Sequence, residues 1–502
     1  MVNSADMPAL RSFLRSWAEG REIETHAARI YLGETTALKV KRPVRYAYLD
    51  FTDAEVRKNM LGRELTLNRA VAPQIYRDLV PLTCEDGQFA IDGPGEVVEW
   101  ALRMWRFPPE AGLDRIVERN EFTDDLAERL GGVIHDLHEA SVPSMSDGVA
   151  LVRRVLDGLI QEFDHLAQQG LHLPVKPVLR QAAVAVERVS TLLADRAQAG
   201  FVRRCHGDLH LRNIVLLDGR PVPFDALEFS EDLAICDVLY DLAFLLMDMQ
   251  HKGAVAQANR VLNAYFDCAS GDEVLSGLAA LPLFLALRAL VRAVVSADLA
   301  AATSETGSPR HAQDYLQFAS QALSEDPPKL YVVAGLSGTG KTTLARLMSP
   351  DLPGPCGALL LRSDIERKRG ARVAPLTRLP ASAYSRDKSK AVYDALFRKA
   401  DVVLRSGSSV ILDAVFAQPE EREAAEAVAR RCDVSFRGLW LEAPELLRSA
   451  RVTARQADAS DATAEIVARQ SGFDIGLITW ERWQVDAAPD VLVDRILKSE
   501  SR

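Results

Sequence analysis

A glycine-rich stretch at residues 335–342 constrains the fold of this chain more than any other feature. It reads Gly-Leu-Ser-Gly-Thr-Gly-Lys-Thr and matches the pattern G-x-x-x-x-G-K-[ST] in full. An apolar run at 330–334 precedes it, and a helical start at 343–347 follows. This order predicts a loop whose backbone amides enclose phosphate groups. The residues predicted to contact a nucleotide are Gly335, Ser337, Gly338, Thr339, Gly340, Lys341, Thr342 and Thr343, and Thr342 is also expected on magnesium.

Strands and helices alternate on both sides of this loop and predict an α/β domain with a mainly parallel sheet. The candidate strands are residues 330–334, 358–361, 409–412 and 434–440. Continuous apolar runs of this kind are typical of parallel strands that are buried on both faces. Asp413 directly follows the third run, where a carboxylate can hold the magnesium of a bound nucleotide. The alternative is an ordinary aspartate at the end of a strand.

Ser363 and Asp364 follow the second candidate strand. The carboxylate of Asp364 is therefore our candidate for orienting or deprotonating an acceptor hydroxyl. Farther along, Arg448, Arg451 and Arg455 recur on one face of a predicted helix. Such a face would close over phosphates and neutralise their charge, with Arg451 and Arg455 as nucleotide contacts. The alternative is a basic face that contacts only solvent.

A second polar motif lies at residues 206–213 and reads His-Gly-Asp-Leu-His-Leu-Arg-Asn. Asp208 is placed to orient or deprotonate an attacking hydroxyl, and Asn213 offers an amide oxygen to magnesium. Two short apolar runs joined by an Asp-Gly pair follow and predict a hairpin. Asp225 comes directly after that hairpin and is a candidate second magnesium ligand. A single aspartate is commonly a turn residue, but the three residues together indicate a catalytic site.

The bulk properties of the chain indicate more than one globular domain. Its 502 residues suggest about two to four domains. Residues 329–502 carry 27 Lys and Arg against 23 Asp and Glu, whereas residues 1–328 carry 33 against 47. This asymmetry supports two units with different partners, the alternative being chance drift along a long chain. The run Ser-Glu-Asp-Pro-Pro at 324–328 predicts a linker between them.

Cysteine usage and hydropathy predict a cytoplasmic protein. The six cysteines form no C-x-x-C pair, which is typical of reduced thiols rather than a zinc ribbon. No apolar leader is apparent at the N-terminus. The apolar run at 278–295 contains Arg288 and Arg292, so it predicts a buried helix rather than a membrane span. The net charge of −10 argues against a general nucleic-acid binder.

The 206–213 loop together with Asp225 resembles the aminoglycoside phosphotransferase-like kinases, a branch of the protein-kinase-like fold. The resemblance covers about residues 20–323 and implies an α+β domain, with an N-terminal lobe at about 20–106 and a helical lobe at about 107–323. It implies that Lys39 on the third strand and Glu64 on the following helix contact ATP. Lys41 lies on the same strand face, so the residues alone leave the choice of lysine open. The glycine-rich phosphate cover of the family is missing at residues 25–31.

The 335–342 loop, with Asp364 and the arginine face, resembles small P-loop kinases of the gluconate kinase, polynucleotide kinase and zeta-toxin type. This second resemblance covers about residues 329–490. Both halves together resemble bacterial proteins that join a phosphotransferase-like domain to a P-loop kinase. The implied organisation is a kinase-like domain at 1–323, a linker at 324–328 and an α/β P-loop domain at 329–502.

These observations favour a bifunctional kinase that uses ATP and magnesium to phosphorylate a hydroxyl of a small molecule at each site. One alternative is a P-loop kinase acting on nucleic-acid ends or a nucleotide sugar, since basic residues follow Asp364 and the kinase-like domain would then be regulatory. A second alternative is a nucleotide-sensing binding module, which the missing glycine cover suggests. A third is transfer of AMP rather than phosphate. The acceptors, the nucleotide base and the oligomeric state stay open, and no membrane partner is predicted.

Overall fold

A computed structural model describes residues 8–25, 27–46, 49–269, 271–303, 308–324, 326–454 and 459–500. Arg455 of the predicted arginine face, His26 of the expected phosphate cover and residue 325 of the predicted linker lie outside these ranges. By its internal contacts the chain divides into two compact units. The first comprises residues 1–122, 136–151 and 197–248, and the second comprises residues 123–135, 152–196 and 249–502. The second unit thus contains the glycine loop together with helices that precede the predicted linker.

A six-stranded antiparallel sheet organises the N-terminal part of the first unit, in the order β1-β2-β3-β8-β6-β7. Its core side chains alternate along β3, because successive residues of a strand point to opposite faces. Leu38 packs with Leu10 and Leu14 of the first helix, whereas Ala37 packs with Leu61 of the second. The elements of this part are α1 (Pro8–Trp17), β1 (Glu22–Glu24), β2 (Ala28–Leu32), β3 (Thr36–Lys41), β4 (Arg45–Tyr46), β5 (Leu49–Asp50), α2 (Ala54–Val71), β6 (Tyr76–Glu85), β7 (Gln88–Ile91) and β8 (Glu96–Trp105).

The N-cap of α2 differs from the sequence expectation. The residue order predicts Thr52 as the cap, but Asp53 holds that position, and its carboxylate accepts from the N–H groups of Glu55 and Val56 at 2.7 and 3.3 Å. Thr52 instead donates its hydroxyl to the carboxylate of Asp50 at 2.6 Å. Since that hydroxyl is engaged, the next residue takes over the capping role.

The chain then forms a series of helices, parts of which belong to the first unit and parts to the second. Within the first unit it also forms two small antiparallel strand pairs. Strand β10 pairs with β11, and β12 pairs with β9. The first pair confirms the hairpin that the Asp-Gly turn predicts. The elements are α3 (Leu113–Glu118), α4 (Asp124–Ala140), α5 (Gly148–Gln168), α6 (Lys176–Gln198), β9 (Val202–Arg204), β10 (Ile214–Leu217), β11 (Arg220–Pro223), α7 (Glu231–Ala234), β12 (Ile235–Asp237) and α8 (Val238–His251).

Four further helices belong to the second unit: α9 (Val255–Cys268), α10 (Glu273–Ser276), α11 (Leu281–Thr303) and α12 (Ser308–Ala322). Among the described residues, the segment Glu273–Asp298 is long and apolar enough to cross a membrane by length and composition. However, 78% of the tested window is buried inside the protein. Arg288 within it is only 5% exposed. The prediction of a buried helix is therefore confirmed.

The remaining elements of the second unit build a parallel five-stranded sheet in the order β14-β15-β13-β16-β17. The four strands expected from apolar runs are confirmed, each within two residues of the predicted bounds. The fifth, β17, reads Glu-Arg-Trp-Gln and gives no apolar signal, because it lies at an edge of the sheet. The elements are β13 (Lys329–Ala334), α13 (Lys341–Met348), β14 (Leu359–Arg362), α14 (Ser363–Gly370), α15 (Arg386–Arg405), β15 (Val410–Asp413), α16 (Pro419–Cys432), β16 (Ser435–Glu442), α17 (Glu445–Ala454), α18 (Ala464–Ser471), β17 (Glu481–Gln484) and α19 (Pro489–Glu500).

Asp267, at the C-terminal end of α9, gives the second unit a pH-dependent stability. Burial raises the pKa of its carboxyl to about 6, although nearby Arg362 and Arg369 oppose the shift. A carboxyl whose folded pKa exceeds its unfolded pKa stabilises the fold at low pH, and this contribution is lost as pH rises through about 6. We therefore expect Asp267→Asn to raise the free energy of unfolding at pH 7.5 by about 1 kcal/mol, since the side chain is half-buried.

Thermal melts of this variant between pH 4 and pH 8 check the expectation. The melting temperature of Asp267→Asn should exceed that of the parent by about 2–4 °C at pH 7.5. The two curves should converge near pH 4, where the parent carboxyl is protonated in both states. Asp314→Asn, an exposed change on α12, serves as the matched control. A constant difference across the pH range would contradict the role of Asp267.

Candidate active sites

Lys39, Glu64 and Asp225 meet in the first unit although they lie far apart in sequence. The ammonium of Lys39 donates to the carboxylates of Glu64 and Asp225, each at 2.7 Å. Strand β3 carries the lysine and helix α2 carries the glutamate, so the sheet and the helix packed on it fix this geometry. The structure therefore brings together the three residues that the kinase-like resemblance assigns to nucleotide and metal.

Lys41 joins the same cluster and adds a residue that the sequence analysis missed. Its ammonium donates to Glu64 at 2.8 Å and to Glu228 at 2.5 Å. The two lysines thus share Glu64, while each has its own second carboxylate. Glu228 lies three residues after Asp225, and that nearness is the only signal by which the sequence indicates it. Two cations and three carboxylates leave this cluster with a net negative charge that favours a divalent cation.

The pKa values in this cluster follow from burial and pairing together. Burial disfavours the charge on Lys39, but Asp225 and Glu64 outweigh it and raise the pKa of Lys39 well above its usual value. Burial likewise opposes ionisation of Asp225, yet Lys39 lowers the pKa of Asp225 below its usual value. For Glu228, burial and the neighbouring Glu64 raise the pKa. Lys39 and Asp225 therefore remain charged at neutral pH, as a phosphate and metal site requires.

Asp208 and Asn213 lie together in the loop before β10. The amide nitrogen of Asn213 donates to the backbone oxygen and to the carboxylate of Asp208, each at 2.9 Å. This orientation of the amide directs its nitrogen toward Asp208 and leaves the oxygen for another partner. The backbone oxygen of Asn213 accepts from Phe224 at 2.9 Å, so the β10–β11 hairpin places Asn213 beside the residue preceding Asp225. The Asp208 side chain is 41% exposed and accessible to an acceptor.

Asp241 on α8 fixes the position of the loop at 206–213. Its carboxylate accepts from the backbone N–H groups of His206 and Gly207 at 3.0 and 2.9 Å. The imidazole of His206 contacts the backbone oxygen of Phe224 at 2.9 Å, and burial lowers its pKa. These contacts fix the position of the loop, because a neutral buried imidazole keeps one orientation. His210 Nε2 lies 3.5 Å from the Asp208 carboxylate and so stands near the acceptor position.

Asp225 has a left-handed backbone with a φ of +61°, and its neighbours hold that conformation. Its N–H donates to the hydroxyl of Tyr76 at 3.0 Å. The side-chain oxygen of Asn68 accepts from the N–H of Ala226 at 2.7 Å. Asn68 lies one helical turn after Glu64 on α2, so one helix positions both the glutamate and the Asp225 segment.

We expect Asn68→Leu to reduce turnover at the first site by about tenfold, because small displacements of a ligand-bearing segment slow phosphoryl transfer. The measurement is the rate of ATP turnover in a Lys341→Ala background, which isolates the first site. Asn59→Leu, an exposed change on the same helix, is the control. Equal rates for the two variants would contradict a positioning role for Asn68.

In the second unit, the glycine loop connects β13 to α13 as the sequence predicts. A Cβ atom on Gly335 would lie 2.6 Å from the backbone oxygen of Leu441. A Cβ atom on Gly338, whose φ is +83°, would lie 2.5 Å from the backbone oxygen of Arg448. Both positions therefore require glycine. Helix α13 begins at Lys341, two residues before the predicted start, so its N-terminus faces the loop.

Thr342 and Asp413, the two residues predicted on magnesium at this loop, are in direct contact. The hydroxyl of Thr342 donates to the carboxylate of Asp413 at 2.6 Å. Arg362 approaches the same carboxylate at 3.7 Å. The ammonium of Lys341 donates to the backbone oxygen of Leu336 at 3.3 Å, within the loop itself. These oxygen donors suit magnesium, which prefers hydroxyl and carboxylate ligands.

Asp364 lies in the first turn of α14, directly after β14. Burial raises its pKa, Arg362 opposes that shift, and Asp413 reinforces it. A carboxylate with a raised pKa is a stronger base for an acceptor hydroxyl. Ser460 donates a hydrogen bond to Asp364, and its neighbour Asp461 accepts from Lys368 at 2.6 Å. No pattern in the sequence marks these two residues, since only the folded chain brings residue 460 to α14.

Two of the predicted lid arginines reach the glycine loop through α17. Arg451 donates to the backbone oxygen of Thr339 at 3.3 Å, and Arg448 to that of Ser337 at 3.5 Å. Arg448 is only 4% exposed, so the alternative of a solvated basic face is wrong for this residue. Gln470 on α18, which the sequence analysis missed, accepts from the N–H of Ser337 at 2.8 Å.

Two family models match this chain. The model described as "Phosphotransferase enzyme family" matches residues 19–278, just over half of the chain, and the one described as "AAA domain" matches residues 330–473. The chain belongs to the phosphotransferase enzyme family. It is also 30% identical over 469 residues to uncharacterised proteins of Mycobacterium tuberculosis and Mycobacterium bovis, with 90% of each chain covered.

Two solved structures align with parts of this chain at lower similarity. A choline kinase from Cryptosporidium parvum aligns with 64% of this chain and 93% of its own, at 11% identity and a TM-score of 0.40. A gluconokinase from Sinorhizobium meliloti aligns with 36% of this chain and 98% of its own, at 14% identity and a TM-score of 0.25.

As a member of the phosphotransferase family with a P-loop kinase segment, the protein is a kinase, and the predicted fold class is confirmed. Kinases of these families use ATP, usually with Mg²⁺. The donor sets described above fit that requirement: Asp225 with Asn213 in the first unit, and Thr342 with Asp413 in the second. When bound, the metal neutralises phosphate charge that the lysines alone would have to balance.

Proposed function

We propose that this kinase is bifunctional and transfers the γ-phosphate of ATP to a hydroxyl of a small molecule at each of two sites. What supports the proposal is that each unit brings together a lysine, oxygen donors that suit a metal ion and a further carboxylate that can face an acceptor. Lys39, Asp225 and Asp208 have these roles in the first unit. Lys341, Asp413 and Asp364 have them in the second.

At each site the acceptor oxygen attacks the γ-phosphorus while the bond from that phosphorus to the bridging oxygen of ADP breaks. Asp208, held by Asn213, receives the acceptor proton in the first unit. Asp364, whose raised pKa suits a base, receives it in the second. Lys39 and Lys341 balance charge on the phosphates, and Arg451 adds a cation above the glycine loop. The protein contributes mainly position and charge.

The alternative of a polyanionic acceptor loses support in the second unit. It rests on the basic residues that follow Asp364, but Lys368 is 2% exposed and bound to Asp461. Arg369 donates to the backbone oxygen of Asp267 at 3.0 Å. These two cations have partners within the protein, whereas Arg372 and Arg378 of the same run are exposed, so the run offers a smaller basic surface than its sequence suggests.

The experiment is a screen of pooled metabolites with ATP labelled at the γ-phosphate. The full chain, Asp208→Asn, Lys341→Ala and the double variant are compared. We expect labelled products that Asp208→Asn removes and others that Lys341→Ala removes. Label from the α-phosphate in a product would instead indicate AMP transfer. Products that persist in the double variant would contradict both site assignments.

A further inference from the structure

Strand β14 is an edge of the parallel sheet, and its outer side is covered by helix α9. An edge strand presents N–H and C=O groups that lack a neighbouring strand. Here the side-chain oxygen of Asn263 on α9 accepts from the N–H of Leu360 at 2.7 Å. The amide nitrogen of Asn263 donates to the backbone oxygen of Ala358 at 3.4 Å. One asparagine thus serves a donor and an acceptor of the strand edge.

Asn259, one helical turn earlier on α9, continues the pairing. Its amide nitrogen donates to the backbone oxygens of Cys356 and Ala358 at 2.6 and 3.0 Å. Its side-chain oxygen accepts from the hydroxyl of Ser349 at 2.6 Å. Both asparagines are buried, at 2% and 8% exposure. Ala358 and Leu360 alternate as the outward groups of a strand edge do, and Cys356 lies in the turn before the strand.

Helix α9 also contacts α14, the helix that carries Asp364. Arg369 on α14 donates to the backbone oxygens of Phe266 and Asp267 at 3.3 and 3.0 Å. A cation at these last carbonyls of a helix is favourable because they have no partner within the helix. The same helix therefore holds β14, which precedes Asp364, and α14, which carries it.

A glycine shows how closely the two segments approach. Gly357 has a φ of +77°, and a Cβ atom there would lie 2.9 Å from the amide nitrogen of Asn259. It would also lie 2.3 Å from the backbone oxygen of Ser349. A side chain at position 357 would therefore clash with the backbone of residues 349–350 and disturb the Asn259 amide, so this position requires glycine.

We infer that Asn259 and Asn263 are positioning residues of the second site, and that the P-loop kinase segment needs α9 of the phosphotransferase segment to hold Asp364 in place. The helix lies within residues 19–278 and the strand within residues 330–473, which match different family models. The inference rests on the proposed role of Asp364 at the second site. It gives a physical reason for the two segments to share one chain, because one supplies the missing edge partner of the other.

The test is Asn263→Leu in the full chain with Asp208→Asn, so that only the second site turns over ATP. We expect the amide of Leu360 to exchange hydrogen about tenfold faster, since it loses its acceptor. We expect kcat for ATP turnover to fall about tenfold. KM for ATP should change less than about twofold, because Lys341 and Thr342 lie on α13 and not on β14 or α14. Asn263→Asp, which retains an acceptor oxygen, should keep more of both the protection and the turnover. Gln257→Leu on the same helix is the control and should match the parent.

Two results would overturn the inference while the proposed function stands. Unchanged exchange at Leu360 would show that the contact is absent in solution. Faster exchange with unchanged kcat would show that the contact does not position Asp364. Failure of the proposed function would give a different result. In that case Lys341→Ala would not change ATP turnover in the Asp208→Asn chain, and the positioning role of Asn259 and Asn263 would be wrong as well.

Discussion

Replacing Asp208 with asparagine should lower phosphoryl transfer at the first site by about 10²–10⁴-fold, because a general base or acceptor-orienting carboxylate contributes an effect of that size. The amide keeps the shape of the side chain, so the loop around it should be maintained. Nucleotide affinity should change little, since Lys39, Glu64 and Asp225 form the phosphate and metal cluster without Asp208. The effect should therefore appear in kcat rather than in KM for ATP.

The measurement is ATP turnover with a labelled γ-phosphate in a Lys341→Ala background. Asp218→Asn is the matched control, because it makes the same chemical change ten residues farther along, in the exposed turn of the β10–β11 hairpin. Turnover by the Asp208 variant within about twofold of the control would remove Asp208 from the mechanism.

Local motifs explain why much of this architecture is predictable from the residues. The glycine loop, its flanking strand and its helix are contiguous, so the backbone conformations that they need are encoded within residues 329–348. The same holds for Asp208, Asn213 and the hairpin before Asp225. In contrast, Thr52 was the wrong N-cap, because the structure gives its hydroxyl to Asp50.

The residues that the sequence analysis missed act across long separations. Each of them contacts a residue in or beside a site that is distant in sequence, and no periodicity in the sequence marks them. These residues are Glu228, Asn68 and Gln470. The choice between Lys39 and Lys41 also depends on contacts with residues that are distant in sequence. Both point toward α2 because a strand repeats every two residues, and only the folded positions of Asp225 and Glu228 distinguish them.

The contacts of α9 with β14 lie beyond any local pattern. Asn259 and Asn263 occur four residues apart in an amphipathic helix, where a polar pair is ordinarily a surface feature. Their partners are about 100 residues away and are backbone groups, which carry no sequence signal. The charge asymmetry between the two halves suggested separate units, yet the second unit includes helices from before the predicted linker.

Lys341→Ala should abolish most turnover at the second site, by about 10²–10³-fold, because its ammonium is the P-loop cation that reaches the β and γ phosphates. The ammonium donates to the backbone oxygen of Leu336 at 3.3 Å, so it lies at the loop where the phosphates would bind. Arg451 and the backbone amides remain, so part of the binding should persist. The loss should appear in both nucleotide affinity and kcat.

Isothermal titration with a non-hydrolysable ATP analogue separates this effect from the first site. The parent chain should bind two nucleotides, and Lys341→Ala should bind one with the affinity of the first site unchanged and a second much more weakly. Lys388→Ala, which removes an exposed ammonium on α15, controls for the change in net charge. A stoichiometry of one in the parent would mean that a single unit binds ATP. Turnover with Asp208→Asn and Lys341→Ala then identifies that unit, because the variant of the silent site would leave the rate unchanged.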